Sequence, residues 1–199
     1  MRAIVIFLGA VAAVLAAQSS ERGKGEVLVR IETALGTIDL AIDANRAPVT
    51  ASNFLRYVDG GFYDGGRFHR ATRADNYIAK PPNRPLLEVI QADIDPARVG
   101  EAFPPIPLER TTVTSLKHVA GVVSMARGAV DSARFGFFIL LNDQPSLDYG
   151  GLRFDDAQGA AAFGRVVAGM SVVRAIQQQP VKEQSLTPPI RINKAYRVR

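Results

Sequence analysis

The 199-residue chain is long enough for one domain and at most two. With 47% hydrophobic and 22% charged residues it sits near the average for globular proteins, which excludes disordered, collagen-like and disulfide-scaffold classes. It has no cysteine, which excludes thiol nucleophiles, Cys-bound zinc, iron–sulfur clusters and disulfides, and its formal net charge is +5.

The first element is an address rather than part of a core. Arg2 precedes an uncharged apolar run from Ala3 to Ala17 that ends in small residues, the pattern of a secretory signal over residues 1–17. The run is too short for a membrane span, which takes roughly 17–25 apolar residues. Cleavage after Ala16 or Ala17 predicts a periplasmic or secreted protein with no stable membrane insertion, and the lack of cysteine rules out lipid attachment through an N-terminal cysteine. Without Arg2 the net charge falls to +4, and Lys and Arg are scattered with no run of three, so no nucleic-acid partner is expected.

Residues 18–26 read as a flexible lead-in to a single domain spanning 27–199. From Val27 the hydrophobic period is two: Val27, Val29 and Ile31, then Ile38, Leu40 and Ile42, with the turn Ala34-Leu35-Gly36-Thr37 between them, predict a hairpin. Pro48 to Val58 predicts a helix, with proline in its first turn and Ala51, Phe54, Leu55 and Val58 on one face. Gly60-Gly61 predicts its left-handed stop. A short strand is expected at Arg67 to Arg70, and a second helix from Ser171 to Gln178 with Ser171 as its cap.

Further β-rich segments run over Glu88–Gln91, Val119–Ala126, Phe135–Leu141, Ala161–Val167 and Ile190–Val198. Pro81 to Pro107 holds seven of the twelve prolines, which predicts a loop excursion without a long helix or a central strand. The sum is a mainly β domain with two helices, most simply a closed barrel.

The familiar catalytic motifs are missing. His69 and His118 stand outside any H-E-x-x-H pattern, and there is no phosphate-binding Gly-x-x-x-x-Gly-Lys loop, no Gly-x-Ser-x-Gly elbow and no acidic calcium loop. Triads are recognised by geometry, and no local signature points to one. What the chain carries instead is an ordered series: Ala47-Pro48-Val49-Thr50-Ala51-Ser52-Asn53-Phe54-Leu55, Gly61-Phe62-Tyr63-Asp64-Gly65, Phe68-His69-Arg70 and Val89-Ile90-Gln91, then Ser124-Met125-Ala126-Arg127, Phe137-Phe138-Ile139, Pro145-Ser146-Leu147-Asp148 and Phe163-Gly164-Arg165-Val166.

In this order the strings resemble the cyclophilin family of peptidyl-prolyl cis-trans isomerases, from Val27 to the C-terminus. The resemblance implies a closed eight-stranded antiparallel barrel capped by two helices, action on proline-containing segments of folding proteins, a monomer, and no cofactor or metal. It assigns catalysis to Arg70, whose guanidinium would favour the twisted amide by donating to the proline nitrogen. It assigns substrate contact to Gln91, Val89, Ala126, Arg127, Phe138 and Leu147.

The chain also departs from the pattern. The segment Ala71 to Leu87 is longer than the family's link, and Arg73-Ala74-Asp75-Asn76 with the following prolines suggests an ordered flap near the cleft. The family's Gly-Phe-Met-x-Gln-Gly-Gly is here Leu87-Glu88-Val89-Ile90-Gln91-Ala92-Asp93, so its pocket phenylalanine becomes Glu88. Burying a lone carboxylate is costly, so Glu88 is expected to turn outward with Tyr77 filling the gap. The family's glutamine before Phe-Phe is Gly136, its rim tryptophan is Ser146 and its pocket histidine is Ala160. Reduced turnover and poor cyclosporin binding are the expected results. The competing expectations are a non-catalytic peptide-binding or chaperone module on the same fold, and a barrel whose insert, Ala71 to Pro107, forms a partner surface.

Overall fold

The computed structural model describes residues 25–77 and 85–198. The predicted signal sequence, most of the lead-in and the middle of the proline-rich insert lie outside those residues.

Strands β1 (Glu26–Thr33) and β2 (Gly36–Asp43) form the predicted hairpin, in register from Glu26 opposite Asp43 to Thr33 opposite Gly36. Their alternation places Val29, Ile31, Ile38, Leu40 and Ile42 in the interior with at most 1% of their surface exposed. After helix α1 (Pro48–Asp59) come β3 (Arg67–Thr72) and β4 (Val89–Asp93), a four-residue helix α2 (Thr111–Thr114), β5 (Val122–Met125), β6 (Phe137–Leu140), β7 (Ala162–Ala168), α3 (Met170–Gln177), β8 (Val181–Lys182) and β9 (Ser185–Arg197).

Eight strands run antiparallel in the order β1-β2-β7-β5-β6-β4-β3-β9, and β9 pairs back onto β1 to close the barrel. Closure removes the open edges that would otherwise invite pairing with another chain. Strand β8 only extends the start of β9 into a small hairpin. Among the described residues no helix is long and apolar enough to cross a membrane.

Helix α1 packs against β2, β7 and β9, and α3 against β2, β3 and β4. Both send side chains into one core: Phe54 of α1 is fully buried, with its ring centre 5.4 Å from Tyr63, 5.4 Å from Phe137 and 5.1 Å from Phe163.

The start of α1 has no local cap, because Ala47 offers no side-chain acceptor. Glu109 supplies one from afar: its carboxylate accepts from the Val49 and Thr50 N–H groups at 3.1 and 2.7 Å and from the Thr50 hydroxyl at 2.6 Å. An anion at this end also suits the helix dipole.

Three details differ from the sequence reading, and a fourth, the left-handed stop predicted at Gly60-Gly61, is placed on its second glycine. Ser171 is an exposed residue inside α3; the cap position belongs to Gly169, whose φ of +88° and close approach to the Thr37 carbonyl exclude a side chain. At the end of α1 the left-handed residue is Gly61 (φ +64°), while Gly60 keeps φ −79°. The proline-rich stretch does hold a central strand, since β4 pairs with both β3 and β6; no proline falls between Pro85 and Pro96, so the prolines bound this strand without entering it. Finally, the short helix α2 joins the two predicted.

Candidate active site

One face of β4 and β6 fills the barrel through Ile90, Ala92, Phe137 and Ile139. The opposite face presents Val89, Phe138 and Leu140 to a second apolar cluster with Leu87, Val122, Leu147, Ala160 and Ala162. At the edge of that cluster a cleft of about 140 Å³ is lined by Arg70, Leu87, Val89, Gln91, Ala126, Arg127, Phe138, Leu147, Arg153 and Phe154. All seven site residues expected from the sequence therefore meet in one place.

Arg70 reaches the cleft because β3 is irregular. A regular strand would put Phe68 and Arg70 on the same face. The pairing shifts between them, so that Phe68 faces Ala92 while Arg70 faces Gln91, and His69 is the extra residue of a bulge. Phe68 can thus be fully buried in the core while Arg70 turns out to the cleft.

There the Arg70 guanidinium is held from two sides. Nη1 donates to Gln91 Oε1 at 3.1 Å, and Nε and Nη2 donate to Gln184 Oε1 at 3.0 and 2.7 Å. Burial, and then the charge on Arg153, hold the Arg70 pKa below the ordinary arginine value. Gln184 was not foreseen: it sits in the turn between β8 and β9, where the Ala71 N–H donates to its carbonyl at 2.9 Å, and nothing in the local sequence marks it.

The apolar wall differs from expectation in its parts. Leu87, 5% exposed, takes a lining position, while Glu88 turns to accept a hydrogen bond from Asn142. Tyr77 packs against the second cluster and accepts a 2.7 Å hydrogen bond from Arg153 Nη1. The flap begins as an ordered turn, with Asn76 accepting from the Arg73 N–H at 2.9 Å and donating to the Ala71 carbonyl at 3.1 Å.

Phe154 and Arg153, also unforeseen, come from the loop after Leu147. That loop folds back on the rim through Arg153 N–H to the Ser146 carbonyl (3.0 Å) and Ala160 N–H to the Leu147 carbonyl (2.9 Å).

Arg127 lines the cleft with its charge already engaged. Its side chain is 1% exposed, bonds both Asp156 oxygens at 2.8 Å, donates to the Gly159 carbonyl at 2.7 Å and lies 3.7 Å from the Phe154 ring centre. The bond from Arg127 brings the Asp156 pKa down to about 2. Arg127 is thus a clasp on the loop that delivers Phe154.

A Ser-His-Asp arrangement does exist. His118 Nδ1 lies 2.8 Å from Asp148 Oδ1 and Nε2 lies 3.0 Å from Ser124 Oγ. Ser124 is fully buried and His118 is 1% exposed, so no substrate carbonyl can reach the hydroxyl. Burial alone would raise the Asp148 pKa, but hydrogen bonds from His118 outweigh it and leave it low. The network braces Leu147, the neighbour of Asp148. Among the described residues no group of three His, Asp or Glu side chains could hold a metal ion.

Two departures noted in the sequence prove to be one exchange. A Cβ on Gly136 would lie 2.6 Å from Asp93 Oδ1, so the carboxylate occupies the space a side chain at 136 would need. Asp93 Oδ2 in turn lies 3.5 Å from His69 Nδ1; burial raises the Asp93 pKa and lowers that of His69. Gly136→Gln alone is expected to cost about 1–3 kcal/mol by overpacking, and Asp93→Gly in the same chain to recover most of it. Urea unfolding of the four-member mutant cycle measures this, and purely additive effects would refute the exchange.

The chain's sequence and fold compare directly with known proteins. The family described as "Cyclophilin type peptidyl-prolyl cis-trans isomerase/CLD" matches residues 28–197. The chain belongs to the cyclophilin family.

Cyclophilin relatives include peptidyl-prolyl cis-trans isomerase A of Dickeya dadantii, 36% identical over 151 residues, covering 75% of this chain and 70% of the relative. A peptidyl-prolyl cis-trans isomerase of Acinetobacter baylyi is 32% identical over 162 residues, covering 81% of this chain and 77% of the relative. A Cryptosporidium parvum cyclophilin crystal structure shares the fold with a TM-score of 0.68 at 20% identity, over 87% of this chain and 98% of that one. The same cyclophilin has been crystallised in the presence of the dipeptide Ala-Pro.

Proposed function

We propose that this cleft binds X–Pro segments of unfolded or folding proteins and accelerates rotation about the bond before proline. The planar amide resists twisting by roughly 18–20 kcal/mol because its nitrogen lone pair is delocalised. Twisting localises that lone pair, and a fixed donor aimed at it binds the twisted state better than the planar one. The observation that carries the reading is the placement of Arg70. Two glutamine oxygens hold its guanidinium at the cleft without cancelling its charge, and Val89, Phe138 and Leu147 offer an apolar wall for the proline ring beside it. Gln91 also has an amide left to meet the peptide backbone, and Ala126 keeps the wall low. Arg127 acts as a positioning residue, through Phe154. No step requires a cofactor or metal.

Phe154 replaces only part of the wall that Gly136, Ser146 and Ala160 leave without Gln, Trp and His, so the grip on proline is weaker and turnover reduced. The apolar run Ala3–Ala17 supports export, which makes the clients extracytoplasmic proteins; N-terminal sequencing of the exported chain should begin at Ala17 or Gln18.

Two-dimensional exchange NMR on a short Ala-Pro peptide tests the activity, since uncatalysed exchange takes about 10–100 s and even weak catalysis stands out. Accelerated exchange is the expected result. Unaccelerated exchange with peptide signals still shifted by the protein would make the cleft a receptor for proline segments instead.

A further inference from the structure

Among the described residues, the cleft is lined by Arg70, Arg127 and Arg153 and by no carboxylate. The three charges are not balanced alike. Asp156 pairs with Arg127 through both oxygens. Arg70 is held by glutamine oxygens, which orient its guanidinium and leave its charge in place. Arg153 donates to the neutral Tyr77 hydroxyl and lies 5.8 Å from that ring's centre. Among the described residues, neither Arg70 nor Arg153 stands within ion-pair distance of an acidic side chain.

Two unneutralised guanidinium groups in a partly buried cleft repel one another, and each is a rigid fork matched to a carboxylate. The loop fixes Arg153 at this spot through its backbone bond to Ser146. A larger hollow of about 460 Å³ beside the end of α1 lacks this property: Asp59 and Asp64 line it together with Lys194 and Arg197, and Arg197 pairs with Asp59.

We propose that Arg153 is a specificity-determining residue, which selects proline segments carrying an acidic side chain next to the proline by pairing with that carboxylate while Arg70 acts at the imide. The proposal rests on the isomerase reading above. It also sets the repelled class: a lysine or arginine beside the proline meets two like charges.

Acetylated and amidated peptides Ala-Glu-Pro-Ala, Ala-Gln-Pro-Ala, Ala-Lys-Pro-Ala, Ala-Ala-Pro-Glu and Ala-Ala-Pro-Gln, with an Ala-Ala-Pro peptide bearing a free C-terminal carboxylate, are compared by exchange NMR. In at least one Glu/Gln pair, Glu is expected to exceed Gln in kcat/KM by about tenfold at low salt, with Lys below Gln. The ratio should shrink in about 0.5 M salt, where screening is strong. Arg153→Gln should bring it to about one and Arg153→Lys should retain most of it, whereas a merely structural role would move the rates of all peptides together.

Equal rates for Glu and Gln in the wild type, or an unchanged ratio in Arg153→Gln, would overturn the proposal. So would a preference confined to the free C-terminal carboxylate, which would make the cleft a reader of chain ends. Failure to accelerate any peptide, the uncharged Gln ones included, would overturn the isomerase reading itself.

Discussion

Arg70→Lys lowers kcat/KM for an Ala-Pro peptide by about 10²–10³, the usual cost of removing one well-placed donor to developing charge. The substitution keeps a positive charge and discards the planar fork. Lysine cannot bond Gln91 and Gln184 together while holding a donor over the imide nitrogen, as the Arg70 geometry allows. Arg70→Ala should lose about as much, because the charge alone contributes little without its aim. Peptide affinity should change far less, since the apolar wall of Val89, Phe138 and Leu147 remains. Exchange NMR for turnover and chemical-shift titration for affinity separate the two effects. A lysine variant as fast as the wild type would remove Arg70 from the chemistry.

The second large effect concerns the core. Phe54→Ala should cost about 3–5 kcal/mol, the range for emptying a fully buried aromatic site. That is a large share of the roughly 5–15 kcal/mol that holds an ordinary domain together. Phe54 has no exposed surface and touches Tyr63, Phe137 and Phe163, rings that come from the post-helix turn, β6 and β7. Strands β6 and β7 are locked into the closed sheet and cannot collapse into the void. Urea unfolding gives the value, and a cost under about 1 kcal/mol would show that the site relaxes.

Much of the barrel could be read from the sequence for a simple reason. Each strand has one face inside, so Val29, Ile31, Ile38, Leu40 and Ile42 announce themselves by alternation, and Phe54, Leu55 and Val58 announce a helix. The ordered strings around Arg70, Gln91, Ala126, Phe138 and Leu147 brought the cleft with them.

What escaped depends on chain reversals. Gln184 lies in a turn beside a two-residue strand, and Arg153 and Phe154 lie in a loop held by backbone bonds, where no periodicity exists to find them. The bulge at His69 is likewise a matter of register, which residue types in β3 alone do not reveal. Glu88 turned outward as desolvation demands, yet the cleft position beside it went to Leu87, which two-residue alternation from Val89 would have indicated.

The carboxylate of Glu109 on the first turn of α1 ties the order of folding to the topology. The groups it caps lie 59 and 60 residues earlier in the chain. Helix α1 therefore emerges from the ribosome well before its anion does, and its opening turn has no side-chain cap until Glu109 reaches it. A fragment ending before residue 109 would lack part of what makes its own helix stable.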